Sequence, residues 1–265
     1  MRALARVTGG DAAQRFLAKV ADTAHYLMGI GAGTDAAASG EQVVIDRLRR
    51  LAASDAPLCV FDVGANRGQF LDLVLQGLGD RPVRVHAFEP GAAAFRELAN
   101  RFGRHPSVTL NNAGLGRAPG KAVLHSDQAG SGLASLYRRN LSHFGIEFNA
   151  AEEVAIDSVD EYCRRTGIGR IDLLKIDVEG HELDVLRGAE KIFADRGVRT
   201  VTFEFGGCDI DSRTFFQDFW YFFREQGMGR VFRITPSGYL APIRHYREAD
   251  EQFRTTNYLV LPDQG

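Results

Sequence analysis

Four ionisable residues stand at alternate positions where an apolar run meets a glycine: Lys175, Asp177, Glu179 and His181, interleaved with Ile176, Val178 and Gly180. Strands covered on both faces do not bury charge without partners or a cavity. The stretch is therefore either a reactive edge or a solvated polar turn. If 173–178 is a strand, Lys175 and Asp177 share one face, and Leu174, Ile176 and Val178 share the other. Gly180 permits a turn, which sets His181 near the first turn of the helix that follows. Asp177, Glu179 and His181 then face one cleft at the strand's carboxyl end, and these three are the candidate catalytic residues. Histidine, with an ordinary pKa near 6.5, is a natural base at neutral pH. The positive end of a helix disfavours its protonated form, and an acid at a helix start is stabilising in its own right. A capping role for His181 stays open on these grounds. Glu204, near the end of the run VTFEF, adds an acid on an adjacent edge. Asp177, Glu179, His181 and Glu204 offer ligand types that suit Mg²⁺, Mn²⁺ or Zn²⁺. They have no metal-site spacing, so no metal ligand is assigned and hydrogen bonding to a polyhydroxylated acceptor is preferred.

A second constellation lies upstream in Phe61-Asp62-Val63-Gly64-Ala65-Asn66-Arg67-Gly68. Gly64 and Gly68 allow backbone to approach a ligand closely. Asn66 occupies the middle position of the dinucleotide fingerprint GxGxxG, which disfavours a pyrophosphate packed on this turn. An acid two residues before the first glycine points instead to a ligand with an amine. The next apolar run ends in Phe88-Glu89-Pro90, 25 residues after Gly64. An acid there can accept both hydroxyls of a ribose, and Pro90 fixes the backbone beside it. A nucleoside carrying an amino acid rather than a pyrophosphate satisfies both acids, and S-adenosylmethionine is such a molecule.

These residues need a scaffold, and the chain supplies one. From Leu58 onward, short apolar runs alternate with amphipathic helical segments, the pattern of parallel βαβ units with helices on both faces. Ligands of such sheets bind outside the carboxyl ends of the strands, where both constellations fall. The run GRVFRITPSGYL reads as one further strand and NYLVLP as the last. HELDVLRGAEKIFADRG reads as a single helix, with Leu183, Leu186, Ala189 and Phe193 on its packing stripe. Residues 1–55 form an N-terminal helical extension: one helix over 11–28, a Gly/Ala-rich flexible linker over 29–40, and a second helix with Val44, Leu48 and Leu51 on one face.

The blocks FDVGANRGQF, AFEP, LLKIDVEGHELDVLRGAE and VTFEF, in this order across residues 58–206, resemble the FkbM family of S-adenosylmethionine-dependent methyltransferases. The resemblance implies a class I methyltransferase fold for residues 56–265: a Rossmann-like α/β domain with a seven-stranded, mostly parallel sheet whose last strand is antiparallel. It implies that Asp62, Gly64, Ala65, Asn66 and Gly68 line the methionine side of the cofactor, with Asp177 close by. Glu89 and Pro90 would meet the ribose, and Asn112 and Ala113 would lie near the adenine. The acceptor it implies is a hydroxyl on a sugar, glycan or polyketide, converted to a methyl ether.

Other features bound the alternatives. The formal charge of −2 argues against a broad nucleic-acid-binding face. No apolar run is long enough to span a bilayer, no secretory signal is visible, and Cys59, Cys163 and Cys208 are too dispersed for a disulfide framework. A cytoplasmic enzyme is the expectation, with a homodimer as an open option. Residues 126–146 have the length of an active-site loop, in which Arg138, Arg139 and His143 could meet an acidic or phosphorylated acceptor or lie on a solvated helix face. The aromatics Phe215, Phe216, Phe219, Trp220, Phe222 and Phe223 are dense enough for a membrane-touching patch, but helical spacing spreads them over more than one face, so a buried or dimer-packed helix is preferred. Two other classes compete with the methyltransferase: a nicotinamide-dependent oxidoreductase, opposed by the missing GxGxxG, and an idle cofactor-binding subunit, opposed by the two intact acids.

Overall fold

The computed structural model describes residues 8–33, 40–51, 57–79 and 81–263. Among these the strands are β1 (Leu58–Val63), β2 (Val83–Phe88), β3 (Val108–Asn111), β4 (Gly114–Leu115), β5 (Gly120–Ser126), β6 (Ala150–Asp157), β7 (Leu173–Ile176), β8 (Val201–Phe205), β9 (Arg230–Ile234), β10 (Leu240–Ile243) and β11 (Thr256–Leu261). One sheet runs β10-β9-β11-β8-β7-β1-β2-β3. Strands β8, β7, β1, β2 and β3 are mutually parallel, and β11 is antiparallel to both β8 and β9. That is the expected mostly parallel class I sheet with its last strand reversed.

The sheet has eight strands rather than the expected seven. The run read as one strand is a hairpin, because Thr235 and Tyr239 pair across the three-residue loop Pro236-Ser237-Gly238, with Gly238 at φ +77°. A proline at the first turn position and a left-handed glycine at its end are the chemistry of such a loop. A second sheet, β4-β6-β5, sits beside the first. Its strand β6 carries Glu152 and Glu153 in mid-strand and has no apolar alternation to announce it.

Apolar side chains fill both faces of the large sheet. Phe61, Phe88, Ile176 and Phe203 pack with the helices Val159–Thr166, Glu182–Arg187 and Phe216–Glu225, while Val60, Val85 and Leu173 pack with Gln42–Leu51, Gln69–Leu78 and Ala92–Phe102. The aromatic helix is buried, as expected, through Phe216, Phe219, Trp220, Phe222 and Phe223, whereas Phe215, the residue that caps it, is exposed. The single helix expected after His181 is instead two, Glu182–Arg187 and Glu190–Ala194. Gly188 lies at the break, where a Cβ would overlap the Gly116 carbonyl oxygen, and Asp160 caps the second through the amides of Lys191 and Ile192 at 2.9 Å each. The expected stripe still holds, with Leu183, Leu186, Ala189 and Phe193 all buried.

The N-terminal helices behave differently from each other. Gln42–Leu51 buries Val44, Ile45 and Leu48 completely in the second core layer, about 1.5–3 kcal/mol for each side chain removed from water. The third residue expected on that face, Leu51, has its side chain outside the described residues. Helix Asp11–Met28 buries none of its residues and leaves Phe16, Val20 and Leu27 exposed. The glycine-rich break between them is no free linker in its described residues, 29–33 and 40. Gly29 and Gly40 have positive φ, and a Cβ on either would overlap backbone oxygen of Ile234 or Thr235, so only glycine lets this segment lie on the end of β9. Residues 34–39 lie outside the described residues.

Candidate active site

Strand register builds the floor of the site. β1 and β7 pair Asp62 with Lys175, side by side on one face of the sheet. Lys175 Nζ lies 3.2 Å from Asp62 Oδ1 and 3.5 Å from Asp177 Oδ2, and donates to the Gly64 carbonyl at 3.2 Å. Burial disfavours the Lys175 charge, but Asp62, Asp177 and Glu41 outweigh it and hold the ammonium above its ordinary value. Burial pushes the Asp62 carboxyl up against the opposing pull of Lys175. Lys175 is thus the charge partner of both acids.

At the end of β1 the chain turns through Gly64 at φ +79°, where a Cβ would overlap the Asp177 carbonyl oxygen. The ends of β1 and β7 approach so closely that this position excludes any side chain. Gly68, at φ +87°, starts the helix Gln69–Leu78, and a Cβ there would strike the Phe102 ring. Asn66 is held left-handed at φ 48° and donates its backbone N–H to Glu89 Oε2 at 2.9 Å. Glu89 Oε1 accepts from the Gly91 amide at 2.8 Å. Burial lifts the Glu89 carboxyl to about 7, against the lowering effect of these two amides. Each oxygen is fixed by one N–H and keeps a lone pair for a ligand.

At the end of β7, Glu179 sits in the left-handed region at φ 56°, a strain that a residue other than glycine adopts only when its surroundings over-determine it. Those surroundings come from the loop after β5. Ser135 Oγ donates to the Glu179 carbonyl at 2.6 Å, and Arg139 forms a charged hydrogen bond with the Glu179 carboxylate. Burial and Asp177 push Glu179 up to about 8, with Arg139 opposing. Burial also raises Glu204, followed by repulsion from Asp177. One oxygen each of Asp177, Glu179 and Glu204 lies within 4.8 Å of the others, a set able to hold a cation or the hydroxyls of a polyol. His181 stands outside that trio. Its Nδ1 is 3.5 Å from Asp184 Oδ2 and 3.4 Å from the Tyr137 hydroxyl, and burial lowers its pKa despite Asp184. The ring is therefore neutral near pH 7, the form that accepts a proton.

A cavity of about 1150 Å³ joins the two ends, large enough for a nucleoside ligand together with an acceptor. Of the residues expected at the site, Gly64, Ala65, Asn66, Glu89, Pro90, Asp177, Glu179 and His181 line it. Asp62 does not reach the wall; it lies fully buried beside Lys175. Gly68 shapes the turn rather than the wall. Asn112 turns its amide back to the carbonyls of Glu89 and Pro90, at 2.9 and 3.1 Å, and neither it nor Ala113 lines the cavity; Gly114, Leu115, Leu124 and Ile156 do. Arg138 is exposed and lies in no helix, whereas Arg139 is drawn inward and committed to Glu179 and, at 3.8 Å, Asp211.

Sequence reasoning missed Glu182. It resembles a solvated acid in a first helical turn, yet it is fully buried and folds back to accept from the amides of Val178 at 2.9 Å and Gly180 at 2.9 Å. Its carboxylate clamps the 177–181 turn, and an acid two residues after Gly180 was the available signal. The donor set also passes a test for an S-adenosylmethionine-type ligand. Asn66 Oδ1 is buried at the cavity wall and has no hydrogen-bond partner among the described residues, and Glu89 retains acceptor capacity beside it.

Residues 62–237 match the sequence profile of the Methyltransferase FkbM domain. Among curated proteins, the AMB antimetabolite synthetase AmbE of Pseudomonas aeruginosa is 35% identical over 166 residues, 49% of this chain but 8% of AmbE. Methyltransferase 1 of Beauveria bassiana is 24% identical over 165 residues, 57% of this chain and 66% of that protein. The chain thus spans less than two thirds of either relative. Among solved structures, methyltransferase FkbM from Methylobacillus flagellatus aligns with a TM-score of 0.44 at 18% identity, over 77% of this chain and 44% of that one. With the profile covering well over half its length, the chain belongs to the FkbM methyltransferase family.

Proposed function

We propose that the chain transfers a methyl group from S-adenosylmethionine to a hydroxyl of a sugar, glycan or polyketide-type acceptor. The observation that carries this is one cavity with a nucleoside cradle, Glu89 and Asn66, at one end and the Asp177–Glu179–Glu204 cluster at the other. When bound, the cofactor supplies an electrophilic methyl carbon on a sulfonium. Glu89 takes the ribose hydroxyls with the lone pairs its two amide contacts leave open. Asp177 and Glu204 accept hydrogen bonds from the acceptor, and Arg139 with Ser135 holds Glu179 beside them. Aligning oxygen and methyl is orientation work, to which a strained and clamped turn is suited. His181, kept neutral by burial, is available to take the hydroxyl proton, with Asp177 as the alternative base.

Because Arg139 is committed to two carboxylates, the acceptor end favours a neutral polyol over a phosphorylated one. Phe144, exposed at the cavity mouth, offers an apolar face to sugar or polyketide carbons. The likeness to part of an antimetabolite synthetase supports a small-molecule acceptor as well as a glycan. No helix among the described residues is long and apolar enough to cross a membrane, and the three cysteines are free, as suits a reducing cytoplasm. The exposed stripe of Asp11–Met28 is the surface on which a homodimer would form, and sedimentation reads it.

Incubation with S-adenosylmethionine carrying a ¹³C methyl group, against panels of glycans and polyketide alcohols, tests the proposal. The product signal is expected at the shift of a methyl ether. A methyl delivered to carbon or nitrogen would sink it.

A further inference from the structure

The loop between β5 and β6 sends three alternate side chains to the turn after β7. Ser135 Oγ donates to the Glu179 carbonyl, Arg139 meets the Glu179 carboxylate, and Tyr137, between them, reaches His181. His181 Nδ1 lies 3.4 Å from the Tyr137 hydroxyl oxygen and 3.5 Å from Asp184 Oδ2, and no other group bonds to it. The Tyr137 hydroxyl also donates to the Asp184 carboxylate, whose other oxygen has Arg187 Nη1 at 3.7 Å. A hydroxyl that gives its one proton to a carboxylate keeps only lone pairs for further partners. Nδ1 therefore faces two acceptors, and both are satisfied only when the ring carries its proton there. The lone pair of the neutral ring is then on Nε2.

Nε2 is free to use it. Among the described residues no hydrogen bond reaches Nε2, and it is not one of the buried orphaned atoms; His181 lines the cavity with its side chain 17% exposed. Gly116 keeps that side clear. A Cβ there would stand 2.9 Å from Nε2, and Gly116 has no positive φ, so the ring's space and not the backbone calls for glycine. Tyr137 and Asp184 do not line the cavity, so anything they do to a substrate passes through the imidazole.

We propose that Tyr137 and Asp184 are positioning residues for His181, fixing its proton on Nδ1 so that Nε2 is the base that takes the acceptor's hydroxyl proton. The inference rests on the O-methyl-transfer reading above. The proton passes to Nε2 as the acceptor oxygen gains the methyl group, and the electron pair of the broken carbon–sulfur bond stays on sulfur. The imidazolium so formed holds Nδ1–H against the Asp184 carboxylate until the Nε2 proton leaves to water. A base oriented by an acid on its far nitrogen is the arrangement that nucleophile activation requires in general.

Long-range ¹H–¹⁵N NMR of the full chain at pH 8, with the His181 signals assigned by their loss in His181→Asn, reads the tautomer without any ligand. The parent is expected to show a protonated Nδ1 and an unprotonated Nε2, whereas an unconstrained histidine prefers its proton on Nε2. Tyr137→Phe combined with Asp184→Ala should restore that preference. A protonated Nε2 in the parent, which needs no variant to fold, or an unchanged tautomer in the double variant would overturn the proposal. Turnover is read with the alcohol that the ¹³C-methyl panel identifies. Asp184→Ala should lower kcat about ten- to a hundredfold while KM and S-adenosylhomocysteine affinity stay within about twofold, and Asp184→Glu should recover part of the loss. A change confined to KM or cofactor affinity would mark a merely structural role and overturn the proposal. A parent with the expected tautomer that methylates no hydroxyl would overturn the base role through the reaction and not through the ring.

Discussion

Binding of S-adenosylhomocysteine is expected to tighten as pH rises through neutrality, and Glu89 is the reason. Its carboxyl stands at about 7 in the fold, raised from 4.5 chiefly by burial. Only the ionised form can accept a ribose hydroxyl on each oxygen, since a protonated carboxyl turns one oxygen into a donor. A group of that pKa is ionised to roughly one part in eleven at pH 6 and roughly ten in eleven at pH 8, so affinity should rise about tenfold between them. Glu89→Gln removes the titration. It also removes one of the two ribose acceptors, at about 1.5–3 kcal/mol for a hydrogen bond to a charged group, or about ten- to 150-fold weaker binding. Calorimetry at pH 6, 7 and 8 and constant ionic strength measures both effects. 5′-Methylthioadenosine retains the ribose and should follow the same profile. A flat profile in the parent protein, or an unchanged slope in Glu89→Gln, would refute the ribose assignment.

Three other outcomes follow from the geometry. Gly64→Ala places a Cβ against the Asp177 carbonyl oxygen at φ +79°, and denaturant unfolding should show a loss of more than about 3 kcal/mol or no folded protein at all. Asp177→Asn and His181→Asn should each cut methyl transfer to an active acceptor at least about a hundredfold, the scale of a positioned acid or base, while S-adenosylhomocysteine affinity stays within about threefold; full turnover in both would displace the acceptor site. Because Asp177, Glu179 and Glu204 are assigned to hydrogen bonding, EDTA should leave turnover unchanged; a loss restored by Mg²⁺ or Mn²⁺ would make the trio a metal site instead.

The parts of this fold governed by short-range chemistry were legible. The glycine turn after β1, the acid after β2 and the charged turn after β7 lie beside strong apolar runs, and the structure brings them to one cavity. What escaped depended on tertiary contacts. The hairpin of β9 and β10 read as one strand because Pro242, tolerated on the edge strand β10, blurs its alternation. Strand β6 was missed because one of its faces is solvated and carries charge. Glu182 looks like an ordinary acid of a first helical turn until its carboxylate is seen to fold back on Gly180. The glycines at 29–33 were read as slack because nothing local reveals that Thr255 lies against them. Asn112 was placed near the adenine by its position after β3, whereas its amide is occupied by Glu89 and Pro90 backbone.

The most direct test of the central claim is calorimetric titration of the full chain with S-adenosylhomocysteine and, separately, with NAD⁺. A cavity built of Glu89, Asn66 and Lys175, with no GxGxxG turn to receive a pyrophosphate, is expected to bind S-adenosylhomocysteine in the micromolar range and NAD⁺ at least about a hundredfold more weakly. Micromolar binding of NAD⁺ with no heat from S-adenosylhomocysteine would contradict the account.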